Sequence, residues 1–381
     1  MRATTLSVTI ATVAFSALAL TSLPAGAQSD SAAVARLGMR ADSILLAAVP
    51  RGFNGVVRIE KNGAVVLFKG YGMANRERAI PFTPETVVQL GNVTKHLTLA
   101  ALLRLQVKGV LRFTDSLTKY FPGTPADKRR ITLEQLATHR AGLTTRLGAD
   151  DQPIGRDEFT KRALETPLHV TPGAYANYSN AGYGLLAAVI EQVTAVSYDE
   201  AIRDAVLAPL DLGNTGVLLP AFDSSRVAHG YVNGVDQGTI LTRPHAPDGL
   251  WWNMRGSSGT LSTLGDVHTF FSALFTTDKL LTTVATKRYF DAAAPVKYVS
   301  LDRGTSFLYE RVPKQRVEVI IASNSKESDA LEVRGRLGGV IELLLEGAAK
   351  VAEAGVKPSK KRAPAKSSSR RKRHRWGRHH H

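Results

Sequence analysis

The sequence predicts an α/β plus all-α protein, in which one antiparallel sheet is built from both ends of the chain and flanked by terminal helices, with a helical domain inserted between. Two observations predict it. Alternating apolar and polar runs lie near the start, at Phe53 to Glu60 and Ala64 to Tyr71, and again near the end, at Thr305 to Val312 and Arg316 to Ser323, as half-buried strands require. Between them apolar residues recur at helical spacing, and the outermost segments, Asp30 to Val49 and about Val333 to Glu353, also read as helices. Strands at both ends and helices in the middle pack into layers only if the ends share one sheet.

Each element has its own signal. Met1 to Ala27 reads as a signal peptide, with Arg2, an apolar run from Val8 to Leu20 and a small-residue cleavage site at Ala25-Gly26-Ala27; a retained anchor is the alternative. The main domain is expected over 28–356, with the sheet drawn from 28–90 and 290–356 and the helical insertion from 91–289. Asn62-Gly63 between two alternating runs predicts a hairpin. Val87 to Leu105, VVQLGNVTKHLTLAALLRL, predicts a short strand, a turn at Gly91 and a central helix from about Val93, which buries the face carrying Leu97, Ala100, Ala101, Leu103 and Leu105. Thr132 to Gln135 fits a capping box. Further helices are expected over Asp157 to Leu164, Ala181 to Thr194, Tyr198 to Leu207 and Thr263 to Phe275.

Composition narrows the function classes. The 381 residues are 44% hydrophobic and carry a formal net charge of +16, but eleven of those positive charges fall in 357–381 with no acidic residue, which leaves +5 for the rest. A basic tail with little to bury is expected to be disordered; it reads either as an electrostatic contact to an anionic surface or as a solvated extension. No specific nucleic-acid site is suggested. There is no cysteine, so a thiol nucleophile and a thiolate metal site are excluded. His139, His229, His245 and His268 show no ligand spacing, and neither metal nor cofactor is expected.

Lys95 follows Asn92 by three residues at the start of the central helix, where free N–H groups favour developing negative charge. A nucleophile at that spacing would need a hydroxyl or thiol, and Asn92 has neither. Around this pair lie Gly70-Tyr71-Gly72-Met73-Ala74-Asn75, Val88-Gln89-Leu90-Gly91-Asn92-Val93-Thr94-Lys95, Ile131-Thr132-Leu133-Glu134-Gln135-Leu136-Ala137-Thr138-His139, Pro172-Gly173, Tyr178-Ser179-Asn180 and Gly259-Thr260-Leu261-Ser262-Thr263-Leu264-Gly265-Asp266. Over roughly Phe53 to Ser323 the chain resembles the serine β-lactamase-related hydrolases, which include class C β-lactamases, D-alanyl-D-alanine carboxypeptidases and esterases of the same fold.

The resemblance implies a β-lactamase/transpeptidase-like fold and three catalytic elements. Lys95 matches the lysine of Ser-x-x-Lys, with Asn92 in the place of the serine. Tyr178 and Asn180 match Tyr-x-Asn, the tyrosine in proton transfer and the asparagine on the substrate. The third element, a Lys- or His-containing triplet ending in Gly, is not found in Lys297-Tyr298-Val299-Ser300-Leu301-Asp302-Arg303, and the interval looks too short for its strand; Arg303 is the nearest cationic substitute. The expectation is therefore an exported, periplasmic or secreted homologue with impaired catalysis that binds a peptidoglycan-like or acyl-peptide ligand. Lys95 would hydrogen-bond the Asn92 carbonyl and give the pocket a cationic floor. One alternative is a weak hydrolase using another nucleophile. Ser179 is the better candidate for it, because the resemblance implies that the position between Tyr178 and Asn180 can also face the site; Thr94 points to another helix face, and Ser257-Ser258 form no Gly-x-Ser-x-Gly elbow. A surface-adhesion protein acting through its tail is the other.

Overall fold

The computed structural model describes residues 25–218, 220–282, 288–290 and 292–346. Most of the expected signal peptide and the whole basic tail lie outside them. Helix α1 (Ala25–Ala48) leads into strands β1 (Gly55–Lys61) and β2 (Ala64–Tyr71), and the chain returns to the sheet with β3 (Val296–Asp302), β4 (Thr305–Val312) and β5 (Val317–Ser323). The strand order is β2-β1-β5-β4-β3, antiparallel throughout. The β1–β2 hairpin turns at Asn62 and Gly63, both left-handed with φ of 56° and 81°, the backbone that Asn-Gly adopts at least cost. β1 and β5 pair from Gly55↔Ser323 to Lys61↔Val317, so the two ends of the chain meet at the sheet's centre.

The sheet is covered on both faces. On one, Ala33, Leu37, Ala41 and Leu45 form a row of i, i+4 positions along α1 and pack on Val57, Ile59, Leu308, Val319 and Ile321. The C-terminal segment joins them as two helices, α5 (Ala330–Arg336) and α6 (Gly338–Glu346), where one long helix was expected. The break falls at Leu337, which is itself buried in this cluster, and residues 347–353 of the expected helix lie outside the described residues. On the other face Val56, Phe307, Tyr309, Ile320 and Ala322 join the large core of the helical region. Each fully buried Leu, Ile or Phe contributes about 1.5–3 kcal/mol, and the two clusters put the sheet in the middle of that gain.

The central helix, α2 (Thr94–Val107), buries more than the expected face. Thr98, Leu99 and Leu102 are buried as well as Leu97, Ala100, Ala101, Leu103 and Leu105, because helix α3 (Asn180–Thr194) and the segments Tyr198–Ile202 and Arg203–Leu207 pack around it. Helix α4 (Leu264–Phe275) presses Phe271 against Tyr309 of the sheet, their ring centroids 3.9 Å apart. The interval expected to be too short for a complete strand holds one: β3 is seven residues long, pairs with β4 from Thr305↔Asp302 to Arg311↔Val296, and forms the sheet edge that packs against the turn Gly91–Val93.

Candidate functional site

The site grows from that contact between the turn and β3. Gly91 has φ of +54°, and a Cβ there would sit 2.0 Å from Ser300 Oγ, so only glycine lets strand and turn approach this closely. The consequence is a hydrogen bond between the Asn92 backbone N–H and Ser300 Oγ at 2.9 Å. One turn on, Lys95 Nζ donates to Asn92 Oδ1 at 3.1 Å and to the Ser257 carbonyl at 2.8 Å. The hydrogen bond expected between lysine and carboxamide is thus present, at the i, i+3 spacing a helix start provides.

Asn92 and Lys95 line a cavity of about 430 Å³. Its wall holds Asn92, Lys95, His96, His139, Tyr178, Tyr183, Tyr289, Phe290, Lys297, Tyr298 and the apolar Val93, Leu99 and Val299; among the described residues no carboxylate lines it. A larger groove of about 570 Å³, around Tyr120, Phe121, Arg156 and Leu164, shares none of them. Lys95 Nζ lies 5.0 Å from the centre of the Tyr178 ring and 5.6 Å from that of Tyr183, within cation–π range.

Burial sets the electrostatics. It pushes the Lys95 ammonium down to about 7, with Arg146 adding like-charge repulsion. Burial also lowers His139 to about 4, with Lys95 contributing; its Nδ1 accepts the Ser179 N–H at 3.1 Å, so the neutral ring carries its proton on Nε2. His96 is held down to about 4 by the same cause, under the Tyr298 ring at 4.1 Å. Tyr178, though 43% exposed, is pushed up to about 12, chiefly by partial loss of solvent at the cavity wall, and stays a neutral phenol.

The Lys95 shift has a consequence for stability. Between pH 7 and 10.5 the unfolded chain carries a proton that folded Lys95 does not, so acidification across this window favours unfolding; below 7 both states hold the proton and the effect is complete. Lys95→Met is expected to be more stable than wild type at pH 6 by about 1–4 kcal/mol, and to lack the decline between pH 10 and 7. Urea midpoints measured across that range check it; an unchanged slope in the variant would contradict the assignment.

Not every expected residue reaches the cavity. Asn92, Lys95 and Tyr178 line it; Ser179 and Asn180 do not. Ser179 is the N-cap of α3: its Oγ accepts the Gly182 N–H at 2.9 Å and donates to the Thr144 carbonyl at 2.7 Å, and the residue is buried. Asn180 follows it in the first turn, with its N–H on the Thr145 carbonyl and its Oδ1 buried without a partner among the described residues. Ser257 gives its hydroxyl to the Met254 carbonyl. Thr94 gives its own to the Gly91 carbonyl. Arg303 lies at the far end of β3 and pairs with Asp151 at 3.2 Å; the cation that β3 presents to the cavity is Lys297.

Two histidines do meet carboxylates from distant parts of the chain. Glu60, His268 and Glu318, and separately Glu77, His229 and Asp236, each bring three ligand-type atoms within 4.8 Å of one another. In the first group Arg58 donates to both glutamates, at 2.7 and 3.0 Å, so the protein itself balances that charge. Neither group lines the cavity.

A family model described as Beta-lactamase matches residues 47–327. Protein flp of Staphylococcus aureus is 30% identical over 183 residues, 46% of this chain and 37% of that protein, so the match spans little more than a third of the relative. FmtA of Staphylococcus aureus superposes with a TM-score of 0.66 at 22% identity, covering 80% of this chain and 88% of the other. A class C beta lactamase from Rhodobacter sphaeroides gives 0.65 at 20%, covering 81% and 100%. The structural matches show the same fold, and with the family model spanning well over half of the sequence, the chain belongs to the beta-lactamase family.

Proposed function

We propose that this protein forms no acyl-enzyme and instead binds an acyl-peptide or peptidoglycan-like ligand through its carboxylate. The observation that carries the reading is the double engagement of Asn92. Its side chain is a carboxamide held by Lys95, and its backbone N–H is occupied by Ser300. Acyl transfer needs a deprotonatable group at the first position and a free donor for the oxyanion; the first is absent and the second is taken.

The cavity that remains suits an anion with an apolar body. Lys297 supplies positive charge, the tyrosine rings supply flat packing surface, and the described lining has no acid to repel a carboxylate. Hydrolysis through Ser179 or Ser257 is the weaker reading, because both hydroxyls are committed to backbone groups. Export, and attachment to an anionic surface through residues 357–381, belong to the same proposal and rest on the sequence.

Calorimetric titration with N-benzoyl-D-alanyl-D-alanine and with its C-terminal amide tests the reading. The acid is expected to bind at least tenfold more tightly than the amide, to lose that advantage in Lys297→Met, and to be recovered uncleaved by chromatography. Turnover of the dipeptide, or equal affinity for acid and amide, would overturn it.

A further inference from the structure

We propose that Lys95 is an amine nucleophile that captures small aromatic aldehydes bearing an acidic group, as an imine formed inside the cavity. The inference rests on the cavity being a binding site for anions, as argued above, and adds a covalent step to it.

The geometry supplies the argument. Lys95 is 5% exposed and makes no ion pair among the described residues. Its two hydrogen-bond partners, Asn92 Oδ1 and the Ser257 carbonyl, are neutral acceptors. A neutral amine has two hydrogens, and two acceptors account for both. The lone pair is then unassigned, on a nitrogen that lines the cavity and lies 5.0 and 5.6 Å from the Tyr178 and Tyr183 ring centres. Asn92 Oδ1 accepts from the amine and leaves its nucleophilic electrons free. Burial favours the neutral form, which is the reactive one. Tyr289, Phe290 and Tyr298 give the rest of the wall its aromatic character, and Lys297 offers a cation for the acidic substituent.

The step balances without an added oxidant or reductant. The Nζ lone pair attacks the aldehyde carbon, the carbonyl π electrons move to oxygen, and that oxygen takes one proton from nitrogen to give a carbinolamine. Loss of the hydroxyl with the second nitrogen proton releases one water and forms the C=N bond.

The test is incubation of the full chain with 4-carboxybenzaldehyde and sodium cyanoborohydride, which fixes the imine as a secondary amine, followed by intact mass and peptide mapping. One adduct per chain is expected, on Lys95, formed at pH 7 at least tenfold faster than on any other lysine and half-maximal in rate near pH 7. Lys95→Arg and Lys95→Met should lose it. An adduct spread over surface lysines, or one that persists in both variants, would overturn the proposal. Parallel titration with 4-methylbenzoate separates the two readings: binding of this carboxylate without a Lys95 adduct removes the nucleophile and keeps the anion site, whereas neither binding nor adduct removes both.

Discussion

Asn92→Ser is expected to label only in trace amounts with a fluorescent penicillin, while Asn92→Ser combined with Ser300→Ala labels at least a hundredfold faster. Wild type is expected not to label. The serine would stand beside Lys95, whose nitrogen is already within 3.1 Å of the Asn92 side chain and whose lowered basicity lets it act as a base near neutral pH. Restoring a lost nucleophile is worth on the order of 10⁶ in rate when the rest of the constellation is intact. It is not intact here. An acyl group on residue 92 would place its developing oxyanion near that residue's own N–H, and Ser300 Oγ holds this donor at 2.9 Å. Loss of one such donor costs about 10²–10³, which sets the gap expected between the single and double variants. Intact mass after timed incubation reads all three proteins. Equal labelling of single and double would show that Ser300 yields to the substrate, and labelling of wild type would mean that another hydroxyl has taken over.

The same contact shows what the sequence could not disclose. The Asn92–Lys95 pair was legible because helix geometry brings positions three apart together. Ser300 meets Asn92 from 208 residues away, and nothing local announces it. β3 itself left a readable trace: along Val296–Asp302 the outward Lys297, Val299 and Leu301 are exposed while Ser300 is buried, a period of two. The trace was disguised because an edge strand here turns Val299 and Leu301 toward solvent, so the apolar residues sit on the wrong face for a simple alternation. The first hairpin was plain, since Asn62-Gly63 punctuates two strong strand patterns. His96, Tyr183, Tyr289 and Tyr298 were missed at the site because each reads as ordinary core. Only their convergence from a helix start, a second helix, the segment before β3 and β3 itself makes a wall of them.

Arg255→Leu is expected to destabilise the protein by about 3–5 kcal/mol. Arg255 is buried, with its side chain 1% exposed, and donates to Glu191 Oε1 at 2.9 Å, to both Asp248 oxygens at 3.1 and 3.0 Å, and to the Leu250 carbonyl. Glu191 is nearly as buried and also accepts the Tyr198 N–H. Removing the guanidinium therefore leaves the buried Glu191 carboxylate with only the longer 3.5 Å contact to half-exposed Arg156, which is the costly event; the attraction itself is largely offset by desolvation. Two controls follow from that distinction. Arg255→Lys should recover only part of the loss, because an ammonium cannot match a fork that serves two carboxylates. Arg255→Leu with Glu191→Leu should recover much of it, because the buried carboxylate goes with its partner, and the charges left, Asp248 and Arg156, are 56% and 46% exposed to water. Urea unfolding of the four proteins decides the matter, and a double variant as weak as the single one would mean that packing, not the stranded charge, carries the cost. The effect reaches the site through the chain: residues 255 to 257 deliver the Gly256 carbonyl to Thr98 Oγ1 at 2.7 Å and the Ser257 carbonyl to Lys95. Loosening Arg255 without unfolding the protein, as Arg255→Lys should, lets water reach Lys95 and raises its pKa toward the ordinary lysine range. The pH at which its amine becomes reactive would then move upward from about 7, a shift that a purely structural role for Arg255, confined to its own loop, would not produce.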